Sequence, residues 1–381
     1  MLYLDAAATT PVRREALEAM WPYLTGEFGN PSSHHTVGER AAAAMADARS
    51  RVAGVLGCRP GEVVFTSGGT EGANLAIKGL ALANPRGRHL VTTGIEHEAV
   101  LASVDYLVRV HGFTVTRVAV DAEGVVTPEA LAAALRPDTT LVSIALANNE
   151  IGTVQDVAAL AAVARVRGAL FHTDAVQAAG WLPVGARDLG VDALSISGHK
   201  VGAGKGIGAV YLRGRLPVEP VLHGGGQERE RRSGTENVPG AVALGVALSL
   251  AEVERDELAP RVRAAREAFI ARVLDLVPTA VLTGPRADRL PNHASFCFPG
   301  TSGEAVLLEL ERLGVVSSSG SACAAGSDEP SHVLIAIGVP PEVAQTSVRF
   351  TFGRDVTEAD LAGAAESVGA AVASVAAVGT I

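Results

Sequence analysis

Lysine is nearly missing from this chain: Lys78, Lys200 and Lys205 are the three, so of the 32 basic residues the remaining 29 are arginine. Any chemistry that needs a lysine amine has three candidates. Cysteine is equally scarce (Cys58, Cys297, Cys323) and forms no C-x-x-C pair, which excludes a disulfide framework and a cysteine-built zinc site and points to a reducing compartment. An excess of positive charge is also lacking. A net charge of -9 gives no basic face for nucleic acid or an anionic membrane surface. No apolar run reaches the roughly 20 residues of a membrane span, since 238–251 and 367–381 are short and rich in Ala and Gly. The first seventeen residues carry Asp5, Arg13, Arg14 and Glu15 with no apolar core of a secretory signal, so a cytoplasmic location is expected.

What is present is an ordinary globular composition, 48% hydrophobic and 19% charged over 381 residues, enough for two domains at about 150 residues each. Between about residues 60 and 215 short apolar runs alternate with helical patterns, the signature of a βαβ sheet covered by helices. Strands are expected at 63–66, 90–93, 115–118, 141–147, 170–173, 194–197 and 208–212, forming one large sheet. Helices are expected at 13–23, 39–56, 71–82, 99–110, 128–135 and 157–167, with Thr127-Pro128 placed as a helix start. The stretch Gly224 to Thr235, three glycines followed by charge, reads as a long loop. Beyond it a helical run at 241–276, a strand at 294–298, a helix at 304–313 and a closing helix from Thr357 describe a smaller α+β domain. No repeat or low-complexity linker separates the two.

Side chains capable of chemistry gather where strands end. In Ser195-Ile196-Ser197-Gly198-His199-Lys200 a buried-type strand delivers a hydroxyl, an imidazole and an amine to the sheet rim. An amine near apolar surface and a second cation sheds its proton more readily, as a Schiff-base nucleophile must. A solvated lysine after a strand is the plainer reading, and Lys205 among glycines is the rival. Lys78 is explained by a helix surface. Thr66-Ser67-Gly68-Gly69-Thr70-Glu71 is strand, small-residue turn and helix start, a phosphate cradle or simply a turn capped by Thr70. Asp174 ends another strand, where a carboxylate can hold a pyridinium N–H or cap the next segment. Asn148-Asn149-Glu150 and His97 close two further strands. Cys323 sits in Ser317 to Ser327, all small residues, and is the reactive thiol candidate; Cys297, between phenylalanines, suits a core.

Taken together these segments resemble the NifS/IscS-type cysteine desulfurases of the class V aminotransferase family. The resemblance covers nearly the whole chain, from Tyr3-Leu4-Asp5 through Glu96-His97, Asn148-Asn149-Glu150, Asp174 to Gln177, Ser197 to Lys200 and Arg232-Ser233-Gly234-Thr235 to Ser318 to Cys323 and Ser347-Val348-Arg349-Phe350. It implies a pyridoxal-phosphate transferase of fold type I, with a mostly parallel seven-stranded sheet in a large domain (12–250) and a small domain (1–11 and 251–381) carrying the Cys323 loop.

By this similarity Lys200 would bind pyridoxal 5′-phosphate as a Schiff base, Asp174 would pair with its ring nitrogen and Gln177 with its phenolic oxygen. Gly69, Thr70, Ser197 and His199 would hold the phosphate, with Thr235 supplied by the second subunit of a homodimer. His97 would stack on the ring and move protons, and Asn149 and Arg349 would bind the substrate carboxylate, the arginine through a two-point fork. Arg354 is the weaker substitute. L-cysteine would be converted to L-alanine, its sulfur kept as a persulfide on Cys323 and passed to an iron–sulfur scaffold, a tRNA-thiolation enzyme or a related acceptor. No resident metal is implied; a transient iron–sulfur cluster on Cys323 stays open. A selenocysteine lyase, another class V enzyme such as a transaminase, and a non-catalytic sulfur-trafficking scaffold are the alternatives, and the presence of both Lys200 and Cys323 argues against the last.

Overall fold

The computed structural model describes residues 1–84, 86–214, 216–320 and 329–378. Its strands, in chain order, are β1 (Leu2–Tyr3), β2 (Val63–Thr66), β3 (His89–Thr93), β4 (Thr114–Val118), β5 (Thr139–Ser143), β6 (Leu170–Asp174), β7 (Ala193–Ser197), β8 (Gly208–Leu212), β9 (Val281–Leu282), β10 (His293–Cys297), β11 (Val315–Val316) and β12 (Ser347–Thr351). Seven of them form one sheet in the order β2-β8-β7-β6-β5-β3-β4. Every neighbouring pair from β7 to β4 is parallel, and β8 runs against both β2 and β7. Helices cover both faces, so most of these strands are buried along their length and read as short, nearly continuous apolar runs.

The strand expected at 141–147 stops at Ser143. Ile144 and Leu146 still donate to the carbonyls of His172 and Asp174, but on the other side β3 has ended, and the Ala145 N–H is taken by the Glu96 carboxylate at 3.0 Å. The ladder ends because its neighbour is replaced by a side chain. The helix expected at 71–82 runs from Gly69 to Ala83, with a π-helical turn at Leu75–Gly79. Its N-cap is Gly68, so Thr70 lies inside the first turn and is no cap. Lys78 is partly buried, with its ammonium 4.3 Å from the centre of the Tyr106 ring.

A 39-residue helix, Val238–Leu276, spans about 58 Å at 1.5 Å per residue. Leu244, Ala247, Leu248 and Ala251 on its first half belong to the core under the large sheet, while Val262, Phe269, Ile270 and Val273 belong to a second core. Against its first half lies the helix Thr36–Val55, whose Ala41, Ala44 and Ala48 are buried. A Cβ on Gly245 would lie 3.2 Å from the Ala48 Cα, so the small residues let the two backbones close up. The second core is aromatic: Phe269 meets Phe350, Phe352 and Phe296 edge-on at 5.2, 5.6 and 6.2 Å. It backs the sheet β12-β10-β9, and β1 pairs in parallel with β11.

Candidate active site

In the large sheet the parallel strands deliver their carboxyl ends to one rim, where ligand sites of such sheets form. A cleft of about 640 Å³ opens there, closed on one side by Arg349 from β12. Gly69 and Thr70 reach it after β2, His97 after β3, and Asn149 beyond β5. Asp174 and Gln177 come from the end of β6, and Ser197, His199 and Lys200 from the end of β7. Gly208 makes one part of this possible. It pairs with both Thr66 and Ser197, and a Cβ on it would lie 2.7 Å from the Gly68 Cα, so the ends of β2 and β7 close over its bare backbone.

Lys200 follows β7 in a single turn, Gly198–Lys200. Its ammonium donates to the carbonyls of Ala7 and, at 2.7 Å, Ala8, and Gln177 Nε2 donates to the same Ala7 carbonyl at 3.1 Å. The N-terminal segment is thereby fastened beneath the lysine, and Thr10 adds a hydroxyl bond to the His199 carbonyl at 2.8 Å. His199 Nδ1 lies 3.1 Å from the Thr9 hydroxyl. Burial, with the charges of Lys200 and Lys205, pushes the His199 imidazole down to about 4, so it is neutral at ordinary pH.

At the cleft floor burial drives the Asp174 carboxyl above its usual range, against the Val176 N–H bond at 2.9 Å and the positive neighbours His97 and Lys200, which lower it. A carboxylate so desolvated gains from a cation placed on it. His97 caps the helix Glu98–His111, its Nδ1 accepting from the Ala99 N–H at 3.0 Å. Glu96 beside it is fully buried, receives the Thr93 hydroxyl at 2.7 Å, and is pushed up to about 8, by burial first and then by the Asp174 charge.

Arg349 does not present the open fork expected of it. Its Nη1 donates to the carbonyls of Asn149 at 3.1 Å and Gly320 at 3.2 Å, and its Nη2 to Asp5 at 2.6 Å. Nε is buried and has no hydrogen-bond partner among the described residues. The remaining donor capacity is at Nε and the second Nη2 hydrogen, and an unpaired buried donor is costly unless a ligand meets it.

Thr235, expected to serve a second subunit's site, is exposed and outside this chain's own cleft. Arg354 lines a separate cavity of about 420 Å³, with Glu254 and Asp355 each 3.5 Å away, and is no substitute for Arg349. Lys205 is exposed and outside the cleft as well. Cys323 lies outside the described residues. Cys297 is buried and Cys58 half-buried, and burial pushes their thiols up to about 11 and 12. Among the described residues there is no cluster of three or more metal-ligating side chains, and no helix is long and apolar enough to cross a membrane. Glu98, Glu150, Gly320 and His332 line the cleft wall without having been assigned a part. Glu150 stood in a recognised motif, whereas Glu98 and His332 gave no sequence signal.

The class V aminotransferase family profile matches residues 2–363. A cysteine desulfurase IscS of Dictyoglomus turgidum is 48% identical over 94% of this chain and 91% of its own. The chain belongs to the cysteine desulfurases of the class V aminotransferase family. Among solved structures, a NifS-like protein superposes with a TM-score of 0.90 at 37% identity, covering 97% of this chain and 98% of that one. A structure of SspA in complex with cysteine gives a TM-score of 0.81 at 36% identity over 92% and 99% of the two chains. Cysteine desulfurases of this family depend on pyridoxal 5′-phosphate, and the cleft fits that group. It offers a lysine amine, a desolvated carboxylate able to pair with a ring N–H, and a cradle in which a Cβ on Gly69 would lie 2.7 Å from Val176 Cγ2.

Proposed function

We propose that this cysteine desulfurase converts L-cysteine to L-alanine and retains the sulfur as a persulfide on Cys323 for delivery to acceptor proteins of iron–sulfur assembly, tRNA thiolation or a related route. One observation carries the reading: a single cleft gathers the Lys200 amine, the desolvated Asp174 carboxylate and a buried Arg349 with an unpartnered Nε. When bound, pyridoxal 5′-phosphate supplies an electron sink for the charge released at the substrate Cα.

The chain's own residues do the rest. Lys200 would be the attachment amine and, as a free amine, the base that takes the Cα proton. Asp174 pairs with the ring nitrogen and Gln177 with the phenolic oxygen. Gly69, Thr70, Ser197 and His199 hold the phosphate, the neutral His199 as a hydrogen-bonding group rather than a charge. His97, on the cleft lining, would stack on the ring and carry protons. Asn149 and Arg349 fix the substrate carboxylate, the arginine through its Nε edge. The Cys323 thiolate attacks the substrate sulfur: an S–S bond forms, the C–S bond breaks, and the carbon takes a proton, so alanine leaves and no external oxidant or reductant is consumed.

The division into a cofactor-holding unit, 12–250, and a smaller unit, 1–11 and 251–381, is supported by the two cores that share the helix Val238–Leu276. A homodimer in which Thr235 serves the other copy's cofactor is supported by its exposure on the long loop before that helix. A cytoplasmic location is supported by three cysteines with no disulfide pattern. The test is incubation of the holoenzyme with L-cysteine and mass spectrometry of the Cys323 peptide. One added sulfur, absent in Cys323→Ser while alanine production collapses, is expected; undiminished sulfur release from Cys323→Ser overturns the assignment.

A further inference from the structure

We propose that Glu150 is a positioning residue that registers the Cys323-bearing segment against the substrate pocket. The inference rests on the reading of Cys323 as the sulfur acceptor and deepens it. Glu150 is 7% exposed, and its Oε2 accepts the Ser331 hydroxyl at 2.5 Å. Ser331 Oγ itself accepts from the Leu334 N–H at 3.2 Å, so its single proton is directed to the carboxylate. A Cβ on Gly320 would lie 3.7 Å from that same carboxylate oxygen and 3.8 Å from the Arg349 Cβ. Ser331 is thus bonded to Glu150, while Gly320 gives its carbonyl to Arg349 Nη1, which also holds the carbonyl of the neighbouring Asn149. The described residues on either side of the Cys323 stretch are therefore tied to the Asn149-Glu150 turn, one directly and one through Arg349.

That side chain stands on a fixed turn. Asn148 Oδ1 accepts from the N–H groups of Glu150 and Ile151, at 2.8 and 2.9 Å, and Asn148 Nδ2 donates to the Ile95 carbonyl at 2.7 Å. The intervening Asn149 lines the cleft and gives its carbonyl to Arg349, which also holds the Gly320 carbonyl. One turn thus builds both the carboxylate pocket and the root of the segment. Cys323 follows Gly320 by three residues, a reach of about 11 Å at most. For its thiol to attack, it must come within roughly 3.5 Å of the substrate sulfur in line, and on so short a tether a displaced root is felt directly.

The test compares Glu150→Ala, Glu150→Gln and Ser331→Ala holoenzymes in single-turnover reactions with L-cysteine. Two quantities are read: the rate at which sulfur appears on the Cys323 peptide, and the L-cysteine dependence of the cofactor absorbance change. Glu150→Ala and Ser331→Ala are expected to slow sulfur capture by roughly 10- to 100-fold with the absorbance change unaltered. Glu150→Gln keeps an acceptor for Ser331 and restores most of the rate. The Glu150→Ala/Ser331→Ala pair is no slower than either alone. In cofactor-free protein the Leu334 amide exchanges faster in Glu150→Ala. Sulfur capture at the wild-type rate in Glu150→Ala, or a fall in step with loss of cofactor absorbance, overturns the proposal. A wild-type enzyme that gains no sulfur on Cys323 overturns the proposed function itself, a separate and recognisable result.

Discussion

The Arg349 guanidinium and the Asp5 carboxylate meet at 2.6 Å across 344 positions of sequence, tying the N-terminal segment to β12 at the wall of the cleft. Their side chains are 3% and 15% exposed, so the pair is largely withdrawn from water. Removing one partner of a buried pair leaves the other charge uncompensated, a loss of about 3 kcal/mol. Asp5→Asn is expected to lower stability by that order and, because Arg349 loses the contact that orients its Nε edge, to raise KM for L-cysteine more than it lowers kcat. Urea unfolding and steady-state alanine formation check both. An unchanged KM would separate Asp5 from the site.

Gly69 is fixed by the space around it. A Cβ there would lie 2.7 Å from Val176 Cγ2 and 3.4 Å from the Ser197 Cβ, and Val176 stands on the segment that bears Asp174 and Gln177. Overpacking of this kind costs about 1–3 kcal/mol. Gly69→Ala is expected to weaken cofactor binding about tenfold, a 1.4 kcal/mol effect within that range. Adding Val176→Ala restores it. Equilibrium titration of the cofactor-free protein with pyridoxal 5′-phosphate reads both.

Glu96 gives a signed pH effect. Its carboxyl is raised from 4.5 to about 8 in the folded protein, so between those values the folded state holds a proton that the unfolded state has lost. Stability from this group is present below pH 4.5 and declines as pH rises toward 8. Wild type is therefore expected to lose stability relative to Glu96→Gln over that window, by a few kcal/mol in order of magnitude. The depressed imidazoles of His172 and His199 act with the opposite sign at lower pH, are common to both proteins, and cancel in the difference. Parallel unfolding curves of the two proteins across that window would remove Glu96 as a buried acid.

Glu228, Arg229 and Glu230 adopt φ of 50°, 60° and 65°, three successive non-glycine residues in the left-handed region. The turn is held by Glu228, which receives both terminal nitrogens of Arg49 at 2.6 and 2.8 Å and the Phe65 N–H at 3.2 Å. Exposed Glu230 only bears the strain. Glu230→Asn is expected to stabilise by about 0.5 kcal/mol, because asparagine enters this region more easily. Calorimetry of the two proteins shows the difference as a higher Tm.

The rim of the sheet was legible in the sequence because each strand ends in a short run of polar and small residues, and the parallel arrangement sends those runs to one edge. Lys200, Asp174, His97 and Asn149 were found that way. What escaped were contacts that join distant segments. Leu2–Tyr3 and Val315–Val316 are too short to show a period, and nothing local announces that Asp5 faces Arg349 or that Glu150 receives Ser331. The early end of β5 was hidden for the same reason. Its residues remain apolar to Ala147, and the Glu96 carboxylate that replaces the next strand comes from elsewhere in the chain.

The helix Val238–Leu276 gives its first half to one core and its second half to the other. Since a helix gains or loses its hydrogen bonds cooperatively, melting of either core strips one half of the rod and frays the other. The two cores are mechanically geared by a common shaft. Pro260 sits between the two halves, β7, which leads to Lys200, packs in the first core and β12, which carries Arg349, in the second, so a bend at that proline is expected to change the width of the candidate cleft.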